Sequence, residues 1–201
     1  MAKEQAALAE DESAKGFPLL CAHSVVATWG AFEAAIEDTV VNVMLDQPET
    51  LDNQAFAKIR VPFAEFQTSD NESRIRFLLA ETLKNQGRKQ GVESFEVQLG
   101  LVGLSGAVDD ETKKTIWEMH HVRNVIVHRA SCADNRLVEA CPWLNLQRGQ
   151  RIVVTRVMLA GYGSALCRYD LNILYRLVTR YGMDVEQLKL RVMNVTGTLP
   201  S

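Results

Sequence analysis

The residues best equipped for chemistry lie together. Over Trp117–Arg129 the chain reads W-E-M-H-H-V-R-N-V-I-V-H-R, and three of its four histidines (His120, His121, His128) fall in this stretch. Imidazole takes up and releases protons near neutral pH. Guanidinium forms forked hydrogen bonds to phosphate that an ammonium cannot match. The stretch therefore joins groups for proton transfer with a group for anion binding. On a helical wheel at about 100° per residue, Val127, Ile116, Met119, Ile126 and Val122 form a continuous apolar stripe, and Arg123 sits inside it between Ile116 and Met119. A neighbouring band carries His120, Asn124, Trp117, His128 and His121, while Glu118, Arg129 and Val125 take the remaining side.

An arginine in an apolar stripe is costly unless its charge meets a partner. Three readings stand open for Arg123. Its stem covers the core while its head reaches the edge. It pairs with a buried acid, Glu33 or Glu37, from the first long helix. Or the stripe faces another subunit and the guanidinium awaits an anionic ligand. The histidines divide similarly. A lone His beside a core is more often a satisfied structural residue than a catalyst. Consecutive His120 and His121 point about 100° apart and cannot both face one site equally well. His128 lies one turn after Asn124 and shares its face. Arg123 and His128 are about 140° apart on the helix. They converge best if a second copy of the helix packs across a two-fold axis, placing two Arg and two His in one cleft.

The surrounding pattern is helical. Apolar residues recur at helical spacing through 19–45 (Val25, Trp29, Phe32, Ile36, Val40, Met44), with Pro18 at the start and Gln47-Pro48 as the stop. The first 15 residues read as a separate short helix or a frayed end. Residues 54–66 form a short amphipathic segment interrupted by Pro62. Ser69-Asp70-Asn71-Glu72 is a capping-box pattern opening a helix to about Asn85. The polar Gly87 region is a loop. A short helix spans 92–102, stopped by Gly103 and Gly106. Asp109-Asp110-Glu111 supplies the acidic start of a helix over 111–129. Residues 130–149 read as a long loop. Gly149–Thr155 is β-branched and reads as a strand or half a hairpin. Thr155 caps a last helix, roughly 156–181, that ends at Tyr181-Gly182. The expected division is an N-terminal extension (1–18), one helical domain (19–182) and a tail (183–201).

Composition sets bounds. The 201 residues include 47% hydrophobic and 23% charged, which suits one globular domain and argues against disorder. No run of about 18 to 20 apolar residues is free of charge, so a membrane-spanning chain is not expected. The polar, acidic start has no secretory layout. Cys21, Cys132, Cys141 and Cys167 are widely separated, with no C-x-x-C, and read as reduced thiols in a cytoplasmic protein. The spacing His128-x3-Cys132-x8-Cys141 matches no standard zinc set. Residues 1–122 carry a net −9 and residues 123–201 a net +6, giving −3 overall. All the cations of the second part except Lys189 are arginines. The two segments neutralise each other within one fold, or the arginines mark an anionic ligand.

The run Arg123-Asn124-Val125-Ile126-Val127-His128 resembles the R-x4-6-H signature of the HEPN superfamily, including the polar residue that often follows the arginine. The leading helix with FEAAIED, the loop ASCADNRLVEACP, the GQRIVV segment and the closing helix also resemble that layout, most nearly the RiboL-PSP-HEPN group, from about residue 20 to 181. The resemblance implies an all-α, up-and-down helical bundle with a four-helix HEPN-like core and a short β-hairpin or strand before the last helix. It implies a homodimer with Arg123 and His128 of both chains in the cleft between them. Arg123 and His128 carry over as catalytic candidates and Asn124 as a supporting residue, while Glu33 and Glu37 are candidate arginine-orienting acids.

The implied activity is that of a metal-independent endoribonuclease, such as a toxin or phage-defence effector. It leaves 2′,3′-cyclic phosphate and 5′-hydroxyl ends and needs no cofactor. The expected partners are RNA, a second copy and, for a toxin, an antitoxin or neighbouring regulatory protein. The alternatives are a catalytically inactive RNA-binding or regulatory module on the same fold, and a structural dimer in which Arg123 pairs with Glu33 or Glu37.

Overall fold

The computed structural model describes residues 2–57, 59–85, 87 and 89–184. The described residues form eight α-helices: α1 (Ala2–Ala14), α2 (Pro18–Asp46), α3 (Phe63–Thr68), α4 (Asn71–Asn85), α5 (Val92–Leu101), α6 (Asp110–His128), α7 (Asn135–Ala140) and α8 (Arg156–Arg180). Single 3-10 turns occupy Pro48–Asp52 and Pro142–Leu144. The architecture is all-α. The chain divides into two compact units, one of Met1–Phe32 with Val108–Asn172, the other of Glu33–Ala107 with Ile173–Ser201.

The first unit holds α6 and its supports. Glu12 at the end of α1 accepts the Leu19 N–H at 3.0 Å, satisfying one open donor in the first turn of α2. Cys21, Val25, Trp29 and Phe32 follow at helical spacing on α2, and all are buried. The Phe32 and Tyr169 rings lie 5.9 Å apart, centre to centre. Asp109 caps α6 by accepting the Thr112 N–H at 2.8 Å, a contact worth about 1 kcal/mol. The same bond holds the Asp109 carboxyl below its ordinary range. Thr155 caps α8 through the Met158 N–H at 3.1 Å, as the sequence implies.

The second unit is built on the later part of α2, with Ile36, Val40 and Met44 buried, and on α4 and α5 through Ile75, Leu79, Phe95 and Leu99. Arg176 of α8 pairs with Glu96 at 2.8 Å and also donates to the Leu104 carbonyl at 3.1 Å. Gly106 passes so close that an added Cβ would stand 2.7 Å from the Arg176 Nε.

Several elements differ from expectation. Asp70, not Ser69, caps α4: its carboxylate takes the Ser73 N–H at 2.9 Å and the Ser73 hydroxyl at 2.6 Å. Pro62 starts α3 rather than interrupting a helix, because its carbonyl can accept (Phe66 N–H, 3.0 Å) although its nitrogen cannot donate. The loop after α6 contains a helix, α7, capped by Asp134 through the Leu137 N–H at 3.0 Å. The segment Gly149–Thr155 is not a strand. It makes one antiparallel bridge, Cys132 with Arg151, flanked by Ala133 N–H to Gln150 O (2.9 Å) and Ile152 N–H to Ser131 O (2.8 Å). β-Branched residues favour extension, but the opposing segment turns away into α7 before a ladder can extend. By length and composition α2 is apolar enough to cross a membrane. Glu33 interrupts the apolar run, so no stretch of that length in α2 is free of charge. Its regular buried stripe is also that of a core helix. Of the expected tail, 183–201, all but residues 183 and 184 lie outside the described residues.

Candidate functional site

The face that α6 buries is wider than the apolar stripe of the sequence. Ile116, Met119 and Val122 are inside, as expected, but so are Val125 at 2% and His121 at 7% exposure, whereas Val127 stays 46% exposed. The cause is the unforeseen α7 and the turn after it. They cover the side of α6 that bears Trp117, His121 and Val125, and the Trp117 indole donates to the Ala140 carbonyl at 3.2 Å.

On that covered side the carboxylate and the two indoles are satisfied, whereas His121 Nε2 is not. Glu118 accepts the Tyr162 hydroxyl at 2.8 Å on one oxygen and the Trp143 indole on the other. Lys114 sits 4.4 Å above the Trp143 ring. Burial, reinforced by the Glu118 charge, raises the Tyr162 phenol far above its usual range and pushes the Cys141 thiol up to about 12. Both therefore stay protonated and chemically quiet. Glu118 is a structural acceptor, not a free base.

The adjoining edge of α6 is polar and incompletely satisfied. Arg123 Nη1 donates to Asn124 Oδ1 at 3.1 Å, and Asn124 Nδ2 meets His120 Nε2 at 3.0 Å. Arginine can only donate, so the amide oxygen must face it and the amide nitrogen must face the imidazole. His120 Nε2 is then an acceptor, and the proton of the neutral ring lies on Nδ1. Neutrality is enforced: burial, with smaller repulsions from His121 and Arg123, lowers the His120 pKa to about 4. The ring is held by Trp29, 5.2 Å away, and by Trp117 and His121 at 6.5 and 5.2 Å. His121 is likewise pushed toward neutrality by burial.

Three buried polar atoms here have no hydrogen-bond partner among the described residues: His120 Nδ1, His121 Nε2 and Arg123 Nε. Each such atom costs about 1–3 kcal/mol if it meets neither protein nor water.

Arg123 forms no ion pair among the described residues. Of its proposed acidic partners, Glu37 is engaged by Arg76 at 3.0 Å. Glu33 is exposed. The neutral amide of Asn124 accepts from the Arg123 guanidinium and does not cancel its charge. His128, at the end of α6, is exposed and stands outside this connected group. The structure thus joins Arg123, Asn124 and His120, and leaves His128 free at the helix end.

His120 is the residue that sequence reasoning passed over. Its signal was readable: it precedes Asn124 by one turn and shares its band on the wheel. Comparison of the chain with family models, curated proteins and solved structures finds no match.

Proposed function

We propose that this protein is a HEPN-like endoribonuclease that works as a homodimer, built around Arg123 and His128. The observation that carries this reading is the state of Arg123: half-buried, fixed by an uncharged amide and lacking any carboxylate partner among the described residues. A half-buried positive charge without a counter-ion favours an anion, and its forked donors fit a phosphodiester.

The chemistry follows from the side chains. A base removes the proton of the RNA 2′-hydroxyl, and that oxygen attacks the adjacent phosphorus. The bond to the 5′-oxygen breaks, and an acid protonates the departing oxygen. The ends are a 2′,3′-cyclic phosphate and a 5′-hydroxyl. The exposed His128 imidazole serves one proton transfer, and its counterpart on a second copy serves the other. The Arg123 guanidinium stabilises the extra negative charge on phosphorus-bound oxygen in the transition state. The reaction proceeds in EDTA, DNA resists because it lacks the attacking hydroxyl, and the protein acts in the cytoplasm as a toxin or defence effector.

The test is cleavage of end-labelled single-stranded RNA in EDTA. Arg123→Ala and His128→Ala should each lower the rate by roughly 100-fold or more. Wild type that cuts no faster than both variants sinks the reading. The second reading is a non-cleaving RNA-binding module on this fold, favoured by the separation of His128 from the Arg123 group. It gives salt-sensitive RNA binding, no products, and no loss of affinity in His128→Ala.

A further inference from the structure

We propose that the cleft bounded by Arg129, Arg136 and Arg148 is a phosphate subsite that holds the RNA backbone beside the scissile bond. This rests on the ribonuclease reading for its placement, although not for its chemistry.

The cleft has a volume of about 500 Å³ and begins where α6 ends. Arg129 follows His128 directly, so their Cα atoms are about 3.8 Å apart. A strand with its scissile phosphate at His128 would therefore carry a neighbouring phosphate past the helix end toward this cleft. The walls are tied by backbone: Ala133 donates to the Gln150 carbonyl at 2.9 Å, and Gly149 donates to the Ala133 carbonyl at 2.8 Å. Gly149 sits at φ +81°, a conformation that favours glycine, and an added Cβ there would meet nothing. The Val125 carbonyl accepts both the Arg129 and Ser131 N–H groups, each at 3.0 Å, which closes the end of α6.

What separates these arginines from those of α8 is how little they are occupied. On α8, Arg156 donates to the Gly16 carbonyl and lies 5.2 Å from the Phe17 ring centre. Arg168 pairs with Glu111 at 3.4 Å, Arg176 with Glu96 at 2.8 Å, and Arg180 donates to Gln47 at 2.9 Å. Each serves its own unit. Arg136 and Arg148, in contrast, are exposed and form no ion pair or side-chain hydrogen bond among the described residues. Arg129 only approaches Asp134, at 3.9 Å. Asp134 is the one acid lining the cleft, and one of its oxygens already caps α7. Three guanidinium groups against one committed carboxylate leave an excess positive charge in a concave, backbone-braced site. Of the chemistries that match it, phosphate matches best. A single RNA strand offers successive phosphates, which suits arginines spread along a cleft rather than gathered at one point.

The experiment measures binding of a fluorescein-labelled 12-nucleotide single-stranded RNA by anisotropy, in a His128→Ala background, from 25 to 200 mM KCl. Arg136→Gln/Arg148→Gln should weaken binding on the order of 10- to 100-fold and flatten the salt slope by about 1.4, the share of two phosphate contacts on a single strand. Arg168→Gln, at an arginine with a structural partner, should leave both unchanged. A DNA strand of the same sequence should bind and respond alike, since phosphate alone is read. Unchanged affinity and slope in the double variant, with its melting curve intact, overturns the subsite. So does a mononucleotide that binds as tightly as the 12-mer, which would make the cleft a pocket for a free phosphate. The two proposals fail separately. Loss of binding in the double variant, with no cleavage by wild type, removes the ribonuclease and keeps the subsite; cleavage by wild type, with normal binding in the double variant, does the reverse.

Discussion

Arg76 and Arg123 are the same side chain in opposite circumstances. Arg76, in the second unit, reaches Glu37 at 3.0 Å, Asp38 at 2.6 Å and Glu72 at 2.8 Å. Bonds to these three carboxylates raise its pKa beyond its already high ordinary value. Arg123, in the first unit, has a single amide partner and a buried Nε with none. One guanidinium is neutralised where it stands and ties α4 to α2. The other is aimed but not neutralised. A protein that needed Arg123 only for stability would have given it a carboxylate, as it gave Arg76. Its arrangement instead leaves a half-buried charge with no counter-ion among the described residues.

The sharpest way to break this contrast is to remove each charge in turn. Arg123→Met should lower RNA cleavage by about 100-fold or more. Its melting temperature should hold or rise, because a half-buried donor costing on the order of 1–3 kcal/mol disappears. Arg76→Met should leave cleavage unchanged and lower the melting temperature slightly in low salt, with the difference shrinking as salt screens the wild-type pairs. Equal losses of cleavage in the two variants would erase the distinction.

Next in size is the amide itself. Asn124→Ala frees the guanidinium to wander, and kcat should fall roughly 10- to 100-fold with little change in KM, as expected for lost orientation. A change confined to KM would make Asn124 a binding residue only.

The last test concerns His120 and reads stability rather than cleavage. Its pKa is about 4 in the folded chain against an ordinary value of 6.5, so between those pH values the unfolded chain binds the extra proton. Stability contributed by this group is therefore complete above about pH 6.5 and is lost as pH falls toward 4. Urea melts at pH 7 and pH 4.5 should show wild type losing about 2 kcal/mol more than His120→Phe. Parallel losses in the two proteins would mean that the ring is not held neutral.

What the sequence made legible follows from how local each signal is. The limits of α2, α6 and α8 were readable because Pro18, Asp109 and Thr155 act within one turn of where they stand. Helix α7 was not, because Asn135–Ala140 is too short to display a period, and Leu137 is its only buried residue. Missing it also hid the neighbours of His121, since Asp134 and Arg136 lie near that ring. The β-branched run Ile152-Val153-Val154 satisfies a local rule for strands, but a strand also needs a partner of equal length, which no single segment reveals. The same limit applied to Arg123. The motif singled it out, but whether its head met an acid, a core or an amide depended on side-chain directions that helical spacing does not fix.

The hydrogen-bonded row on α6 has a polarity, and one atom sets it. Replacing the Asn124 amide nitrogen with oxygen, as in Asn124→Asp, leaves the shape almost unaltered but puts an acceptor at both ends. The guanidinium would then be discharged in place, and the facing imidazole would have to shift its hydrogen to Nε2 or gain a second one. A near-isosteric exchange would thus turn a poised cation into an internal salt, giving a steadier fold with a silenced site.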